Sequence, residues 1–358
     1  MRNIDTIRPH ELTAEHRQAW RRLLSAQPGL DSPFFDPVYV EILGEHRKQI
    51  EIGVVSDATT PIGFFPFERH QQTIAKPLGV KLCDLQGVIV EEDMDLSVDD
   101  VLRGCGLTSW CFDHRLVSTP ASSRATCVTS HSPFMDLSNG FDEYVESWKQ
   151  SGSSQRTQIR RKQRKLERER GPIRFEWHTH KEAVFDQLMA WKRAQRERTR
   201  TFDILQFEWV VSALKSIWQT RSNAFSGILS AMYVGDRLVA AHLGMCTSTV
   251  FHHWFPSYDR EFYRYSPGLI LLLEMAQAAA GRGIHRLDLG KGPEQYKSSF
   301  ASGVLPIDEG VVELRPVRAL IGSAALRTRE WIKSSPLYRP AQIPKRWIRR
   351  LQHQAAMQ

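Results

Sequence analysis

Hydrophobic and polar positions alternate most regularly in the second half of the chain. The pattern predicts a strand in IRFEWHT, amphipathic helices in KEAVFDQLMAWKRAQRERT and FEWVVSALKSIWQT, and three strands in FSGILSAMYVGDRLVAAHLGMCTSTVFHHWFPSYD. An apolar helix over residues 269–280 follows, then the strand IHRLDLG and a short helix in PEQYKSSFASG. The order β–α–α–β–β–β–α–β–α predicts an α+β fold with one parallel crossover through the apolar helix.

The first half has a mixed α/β pattern. It predicts a helix near residues 11–26 capped by Thr13, a short helix in DSPFFDPVYVEILG, paired strands in IEIGVVSD and PIGFFPFERH, and another strand in KLCDLQGVIVEE. Between the halves, KQSGSSQRTQIRRKQRKLERERGP begins as a Gly/Ser run and continues as a basic helix that ends at Gly171-Pro172. The predicted organisation is an N-terminal domain (1–150), a basic linker helix (151–171), a C-terminal domain (172–312) and a basic helical tail (313–358).

The composition limits the class of protein. A chain of 358 residues suggests about two domains, and 41% hydrophobic with 25% charged residues is typical of a globular protein. No apolar run reaches about 18 residues and the N-terminus has no apolar stretch of the signal-peptide type, so we expect a cytoplasmic protein. The five cysteines form no C-x-x-C pair and are predicted to be reduced.

The net charge of +8 is concentrated in two stretches. Residues 149–170 carry nine Lys/Arg against two Glu, and residues 315–350 carry ten against one. Such stretches predict an anionic partner. The basic tail is expected to associate peripherally with an anionic membrane surface or, alternatively, to pack as an ordinary helix. No aromatic residue interleaves with the arginines of residues 156–170, so the pattern does not favour single-stranded nucleic acid.

The start of the apolar helix, RYSPGL, has the features of an anion site. Ser266 is a candidate cap, and Pro267 suits the first turn because its missing N–H would be unpaired anyway. The backbone N–H groups of Gly268, Leu269 and Ile270 are then expected to point outward without partners, and the helix dipole adds positive charge. Because Gly268 has no side chain, a phosphate can approach the backbone closely. The alternative is a well-capped core helix without a ligand.

The order of elements and several segments resemble the GNAT acyltransferases. The resemblance is closest to the CelD/BcsL-like acetyltransferases of cellulose and exopolysaccharide synthesis, and rests on RTQIRRKQRKLERERG, GDRLVAAHLG, YDREFYRYSPGLILLLEMAQAAAGRGIHRLDLGKGPEQYKSSF, DSPFFDPVYVEIL and PIGFFPFE. It implies two tandem GNAT-like domains as in FemAB enzymes, each a mostly antiparallel mixed sheet flanked by helices, the first being non-catalytic. It also implies that acetyl-coenzyme A is the acyl donor. The pyrophosphate of this donor would be bound by Arg264, Ser266, Gly268, Leu269 and Ile270.

Candidate catalytic residues lie on the two strands around this helix and just beyond them. Side chains alternate along a strand, so only one of His252 and His253 can face the cleft, where it would take a proton from an acceptor amine. Asp288 is a second candidate base or acceptor-orienting group, or else an ion-pair partner of Arg286. The resemblance implies that Tyr296 protonates the departing thiolate.

Several residues are candidates for substrate binding. Lys297 would stabilise a phosphate or carboxylate, Gly290 and Gly292 would let a substrate approach the backbone, and Arg160 and Arg161 would attract an anionic acceptor. No metal is expected, because His178 and His180 have no apparent Cys or carboxylate partner.

The leading hypothesis is an N- or O-acetyltransferase that moves an acetyl group from acetyl-coenzyme A to a small-molecule or saccharide acceptor, by direct attack in a ternary complex. The first alternative is an aminoacyltransferase of FemAB type that uses aminoacyl-tRNA, the one case in which nucleic acid is expected. The second is a non-catalytic scaffold of a polysaccharide-export complex.

Overall fold

Helices and strands alternate along the chain in the computed structural model, which describes residues 2–27, 29–150, 155–292 and 294–315. The strands are β1 (Arg2–Ile7), β2 (Ile50–Asp57), β3 (Thr60–His70), β4 (Ile74–Lys76), β5 (Ile89–Val90), β6 (Ser109–Leu116), β7 (Ala125–Asp136), β8 (Ile173–Glu176), β9 (Ser226–Val234), β10 (Arg237–Cys246), β11 (Val250–Tyr258), β12 (Arg286–Asp288) and β13 (Gly303–Glu313). The helices are α1 (Ala14–Ala26), α2 (Pro37–His46), α3 (Val98–Gly104), α4 (Phe141–Gln150), α5 (Gln155–Arg170), α6 (Glu182–Thr199), α7 (Glu208–Gln219), α8 (Pro267–Ala280) and α9 (Gln295–Phe300). The strands form a mixed sheet that is flanked by helices, which confirms the predicted α+β class.

The chain divides into two compact units whose limits differ from the predicted domain limits. Of the described residues, unit 1 contains those up to 30, those from 34 to 130 and those from 306 to 315, and unit 2 contains residues 31–33 and those between 131 and 305. The basic helix α5 is therefore part of unit 2 and not a linker, because its Ile159 and Leu166 are buried in the same core as α8. Residues 316–358, most of the predicted tail, lie outside the described residues.

Unit 1 is built on the strand order β1–β2–β3–β4–β6–β13. The predicted pairing of β2 with β3 is confirmed as antiparallel, and Thr13 caps α1 by accepting a hydrogen bond from His16 N at 3.2 Å. The strand predicted in KLCDLQGVIVEE is reduced to the two residues of β5, which pair with β3. Trp20 of α1 stacks on Phe64 of β3 with ring centroids 4.5 Å apart, which ties helix to sheet.

Unit 2 has the strand order β7–β12–β11–β10–β9–β8. β9, β10 and β11 form the predicted antiparallel meander, and its first turn contains Gly235 at φ 56°. β11 then connects through α8 to β12, which pairs with β11 in parallel, so the predicted crossover is confirmed. Apolar residues cover α8 on nearly every side because it is buried among β9, β10, β11 and α5. Of the helices described, none combines the length and apolar character needed to cross a bilayer.

Close packing between α7 and β9 depends on Gly227. A Cβ atom at Gly227 would overlap the carbonyl oxygen of Ile217 and lie 2.5 Å from its carbonyl carbon. We therefore expect Gly227→Ala to lower the free energy of unfolding by about 3 kcal/mol, since backbone atoms of α7 would have to move. Urea denaturation measures the change. Gly281→Ala is the control, because its Cβ would meet atoms no closer than 3.5 Å; equal stabilities of the two variants would contradict this packing.

Candidate functional site

The turn before α8 differs from the predicted cap. Ser266 occupies the N-cap position but has a left-handed backbone, φ 53° and ψ 54°, and its side chain makes no cap bond. Side-chain capping uses an extended N-cap backbone, so this conformation directs the hydroxyl elsewhere. The Ser266 hydroxyl instead accepts a hydrogen bond from Lys162 Nζ at 2.8 Å. The prediction of a serine cap was wrong, and the contact brings an ammonium group of α5 to the turn.

One backbone N–H remains available at this turn. Leu269 N and Ile270 N both donate to the Ser266 carbonyl, at 3.0 and 3.2 Å, so the prediction that they point outward was wrong. Gly268 N has no acceptor among the residues that the structure describes. The nearest atom to a Cβ at Gly268 would be Tyr258 Cδ1 at 3.4 Å. Gly268 N–H and the Lys162 ammonium, which has no carboxylate partner in the described ranges, are thus the groups that an anion could meet.

A cavity of about 370 Å³ lies beside this turn. It opens where the pairing of β11 with β12 ends: the pairs stop at His252 with Asp288, while β11 continues to Tyr258. Its walls come from α6, the end of β11, the first turn of α8 and the residues around the start of α9. They include Lys192, Gln195, His253, Pro256, Tyr258, Tyr263, Ser266, Gly268, Leu269, Leu272, Glu294 and Tyr296. We call this space the donor cavity.

Two buried polar atoms of the donor-cavity walls have no hydrogen-bond partner among the described residues, namely His253 Nε2 and Gln195 Oε1. Buried polar groups in folded proteins are normally paired, so unpaired atoms around a cavity indicate a place for a ligand. His253 is 6% exposed and stacks on His242 with ring centroids 4.5 Å apart. Burial, and secondarily Lys297, hold the pKa of His253 well below its usual value. The imidazole is therefore neutral at pH 7 and can accept a proton.

The neighbouring histidines show the alternation that the strand predicts. His252 is also buried, but it does not line the donor cavity. Of the two histidines, only His253 lines it. His242 on β10 accepts a hydrogen bond from Trp254 N at Nε2, at 2.9 Å. With that nitrogen accepting, a neutral His242 carries its proton on Nδ1. His242 thus holds a fixed orientation beneath the ring of His253.

Tyr296 and Lys192 add two further titratable groups to the donor cavity. Burial raises the pKa of Tyr296, so its phenol keeps its proton at neutral pH and can donate it. Lys192 Nζ donates to the Pro256 carbonyl at 2.9 Å, and burial lowers its pKa to about 7. The sequence pattern did not single out Lys192 or Lys162. Both lie on helices rich in Lys and Arg, and no spacing rule separates them from their neighbours.

Two of the predicted residues form ion pairs away from the donor cavity. Asp288 is 2% exposed and accepts from Arg286 Nε at 2.8 Å, and Arg286 also pairs with Asp31 at 2.7 Å. The predicted alternative of an Asp288–Arg286 pair is therefore observed, and Asp288 does not line the donor cavity. Arg264 pairs with Glu169 at 3.2 Å, is half exposed and does not line the cavity, and its contact with the donor stays a prediction.

The candidate substrate-binding residues are engaged in their own loop or lie on α5. Lys297 Nζ donates to the Gly290 carbonyl at 3.2 Å and lies 3.4 Å from Glu294 Oε2. A Cβ atom at Gly292 would meet the side-chain ends of Glu294 and Lys297, and all three residues line a second cavity, so the predicted part of Gly292 in substrate binding stays a prediction. Gly290 has a left-handed φ of 70°, and this backbone conformation alone is a sufficient reason for a glycine at this position.

Neither arginine predicted to bind substrate lines the donor cavity; Arg160 and Arg161 lie on α5, and Lys162 reaches the turn instead. Across the described ranges, no three His, Cys, Asp or Glu side chains are grouped so that they could hold a metal ion.

Comparison with protein families assigns a class to unit 2. Residues 153–298 match the family described as acetyltransferase (GNAT) domain. This segment contains α5, α6, β11, α8 and Tyr296, and thus most of the donor cavity. The chain therefore contains an acetyltransferase domain, and the protein is an acyltransferase. No curated protein matches the chain significantly.

Solved structures are similar in fold at low sequence identity. FemX is similar with a TM-score of 0.58 and 9% identity, over 89% of this chain and 100% of that chain. The C-terminal DUF2156 domain of a putative lysylphosphatidylglycerol synthetase from Agrobacterium fabrum has a TM-score of 0.53 and 12% identity, over 89% and 97%. A tandem GNAT protein from the clavulanic acid biosynthesis pathway has a TM-score of 0.47 and 11% identity, over 88% of this chain and 99% of that chain. At these identities the likeness concerns the fold alone.

The lowered pKa of Lys192 gives stability a specific pH dependence. Between about pH 7 and its ordinary value of 10.5, the unfolded chain holds one proton more than the folded one. The free energy of unfolding of the wild type should therefore rise with pH relative to Lys192→Met, by at most about 1.4 kcal/mol per pH unit. Urea denaturation at several pH values measures the difference. Lys215→Met replaces an exposed lysine that pairs with Glu182 and is the control; its free energy of unfolding should depend on pH as that of the wild type does. If Lys192→Met also shows the pH dependence of the wild type, the lowered pKa of Lys192 is contradicted.

Proposed function

We propose that unit 2 transfers an acetyl group from acetyl-coenzyme A to a polar acceptor, preferentially a saccharide or nucleotide sugar in polysaccharide biosynthesis. The CelD/BcsL-like resemblance of the sequence supports this choice of pathway. The observation that carries the proposal is the donor cavity itself. Gly268, Ser266 and His253 line it, and the Lys162 ammonium reaches it through its bond to the Ser266 hydroxyl.

The donor is held by charge at the turn and by apolar surface in the cavity. Its pyrophosphate accepts a hydrogen bond from Gly268 N–H and pairs with the Lys162 ammonium, near the positive end of the α8 dipole. Leu269, Leu272 and Pro256 provide apolar wall for the pantetheine arm. An ammonium group without a carboxylate partner favours an anionic ligand, since binding supplies the missing counter-charge.

The transfer uses groups that are in the required protonation state at neutral pH. An acceptor ammonium gives one proton to His253, and the neutral nitrogen attacks the thioester carbon. The C–N bond forms and the C–S bond breaks. Tyr296 gives its proton to the departing thiolate and regains one from the acylated nitrogen. Lys192, with a pKa of about 7, is a second proton acceptor beside His253. A hydroxyl acceptor would react in the same way to give an ester.

The alternative donor is aminoacyl-tRNA, as in FemAB-type enzymes. One observation favours it: Arg156, Arg160, Arg161 and Arg164 of α5 have no carboxylate partner among the described residues. A row of uncompensated arginines suits a phosphate backbone. We also propose a cytoplasmic location, with residues 313–358 as a peripheral membrane contact; nearly all of them lie outside the described residues.

Donor binding is tested by thermal shift with acetyl-coenzyme A, coenzyme A and RNA as separate ligands. Coenzyme A at a hundred times its Kd should stabilise the protein by about 2.7 kcal/mol. Lys162→Met should weaken binding by about tenfold because one charge-assisted contact is lost. Lys165→Met, one turn along the same helix, is the control and should bind as the wild type does. A response to RNA alone would support the aminoacyl-tRNA alternative, and no response to any ligand would refute both.

Catalysis is tested at Tyr296. Tyr296→Phe removes only the phenolic proton, so turnover should fall by about 100-fold while the thermal shift with coenzyme A stays unchanged. The rate of free thiol release from acetyl-coenzyme A, with and without amine acceptors, gives the turnover. An unchanged rate would remove Tyr296 from the mechanism.

A further inference from the structure

A second cavity, of about 540 Å³, lies next to the donor cavity in unit 2. Its walls include His131 from β7, Gln295, Lys297 and Ser298 from α9, and Ser302 from the segment after α9. Glu294 lines this cavity and the donor cavity alike. The two cavities therefore meet at the Glu294 side chain, close to Tyr296 in sequence.

The walls of the second cavity can both donate and accept hydrogen bonds. Ser298 Oγ donates to the Gln295 carbonyl at 2.8 Å, which leaves its lone pairs free to accept. Ser302 Oγ accepts from Asp136 N at 2.7 Å, which leaves its own proton free to donate. The Gln295 amide has no side-chain partner within the described part of the chain. Short polar side chains of this kind suit a ligand with several hydroxyl groups, in contrast to the leucine, proline and tyrosine walls of the donor cavity.

The exposed charged group at the meeting point of the cavities is the Glu294 carboxylate. The Lys297 side chain is 12% exposed, and its ammonium donates to the carbonyls of Gly290 and Lys291, so its protons are directed into its own loop. The Glu294 side chain is 51% exposed, and one carboxylate oxygen lies 3.4 Å from Lys297 Nζ. The other carboxylate oxygen can accept a hydrogen bond from a ligand, and an ammonium group is its best partner.

We propose that the second cavity is the acceptor subsite, that it takes an amino sugar, and that Glu294 holds the ammonium of this acceptor at the entrance to the donor cavity. This inference rests on the proposed acetyl transfer and narrows it to an amine. The bound ammonium gives a proton to His253, the C–N bond forms, the C–S bond breaks, and the sulfur takes its proton from Tyr296.

The test uses glucosamine as probe and glucose as the matched sugar without an amine. Saturation-transfer NMR measures binding of each sugar, and thermal shift with coenzyme A reports the donor cavity separately. Ser298→Trp fills the second cavity from an exposed position, and Ser298→Ala leaves it open. We expect glucosamine to bind Ser298→Ala about threefold more weakly than the wild type, because one hydrogen-bond acceptor is lost, and to bind Ser298→Trp at least about thirtyfold more weakly, with the coenzyme A shift unchanged.

Glu294→Gln keeps the shape of the side chain and removes its charge. It should reduce the preference for glucosamine over glucose by about tenfold, because the charge-assisted bond is lost. Failure of glucosamine to bind the wild type, equal binding to Ser298→Trp, or an unchanged preference in Glu294→Gln would each overturn the assignment. Loss of the coenzyme A response in the wild type would instead count against the proposed acetyl transfer, whatever the sugar experiments show.

Discussion

The site depends on the early end of one parallel strand pair. β12 stops pairing at Asp288, whereas β11 continues for six residues to Tyr258. The backbone and side chains beyond His252 therefore have no strand beside them from β12, and the first turn of α8 lies next to the gap. The Arg286 ion pairs with Asp288 and Asp31 fix the strand end, so the carboxylate that looked catalytic in the sequence has a structural part.

The electrostatics of the donor cavity are dominated by burial, which the Glu294 carboxylate in its wall offsets only in part. Burial lowers the pKa of both His253 and Lys192 because the charged forms are poorly solvated there. The same burial raises the pKa of the Tyr296 phenol. A neutral imidazole and a lysine that is partly neutral at pH 7 thus lie in one cavity with a phenol that keeps its proton. This separation of protonation states is what acyl transfer to an amine requires.

The basic helix α5 shows how a charged segment can belong to a core. Its sequence offers only Ile159 and Leu166 as apolar residues, seven positions apart, and these two are buried in unit 2. Gln163 and Lys162 then contact Glu274 and Ser266 of the helix α8 and its preceding turn. The remaining arginines stay on the outer surface. A narrow apolar seam is enough because the helix covers one side of α8 only.

The sequence by itself determined the order of elements, the meander of β9 to β11, the parallel crossover and the place of the apolar helix. These follow from local periodicity and from Gly and Pro, which act within a few residues. It also predicted the turn at Gly268 and the placement of one histidine of the pair in the cleft. Tertiary structure alone decided that Ser266 binds Lys162, that Lys192 lies in the cavity and that Asp288 pairs with Arg286. The first two depend on residues that are distant in sequence, and the third depends on which partner lies nearer to Asp288 in the folded chain. A local sequence pattern contains neither kind of information.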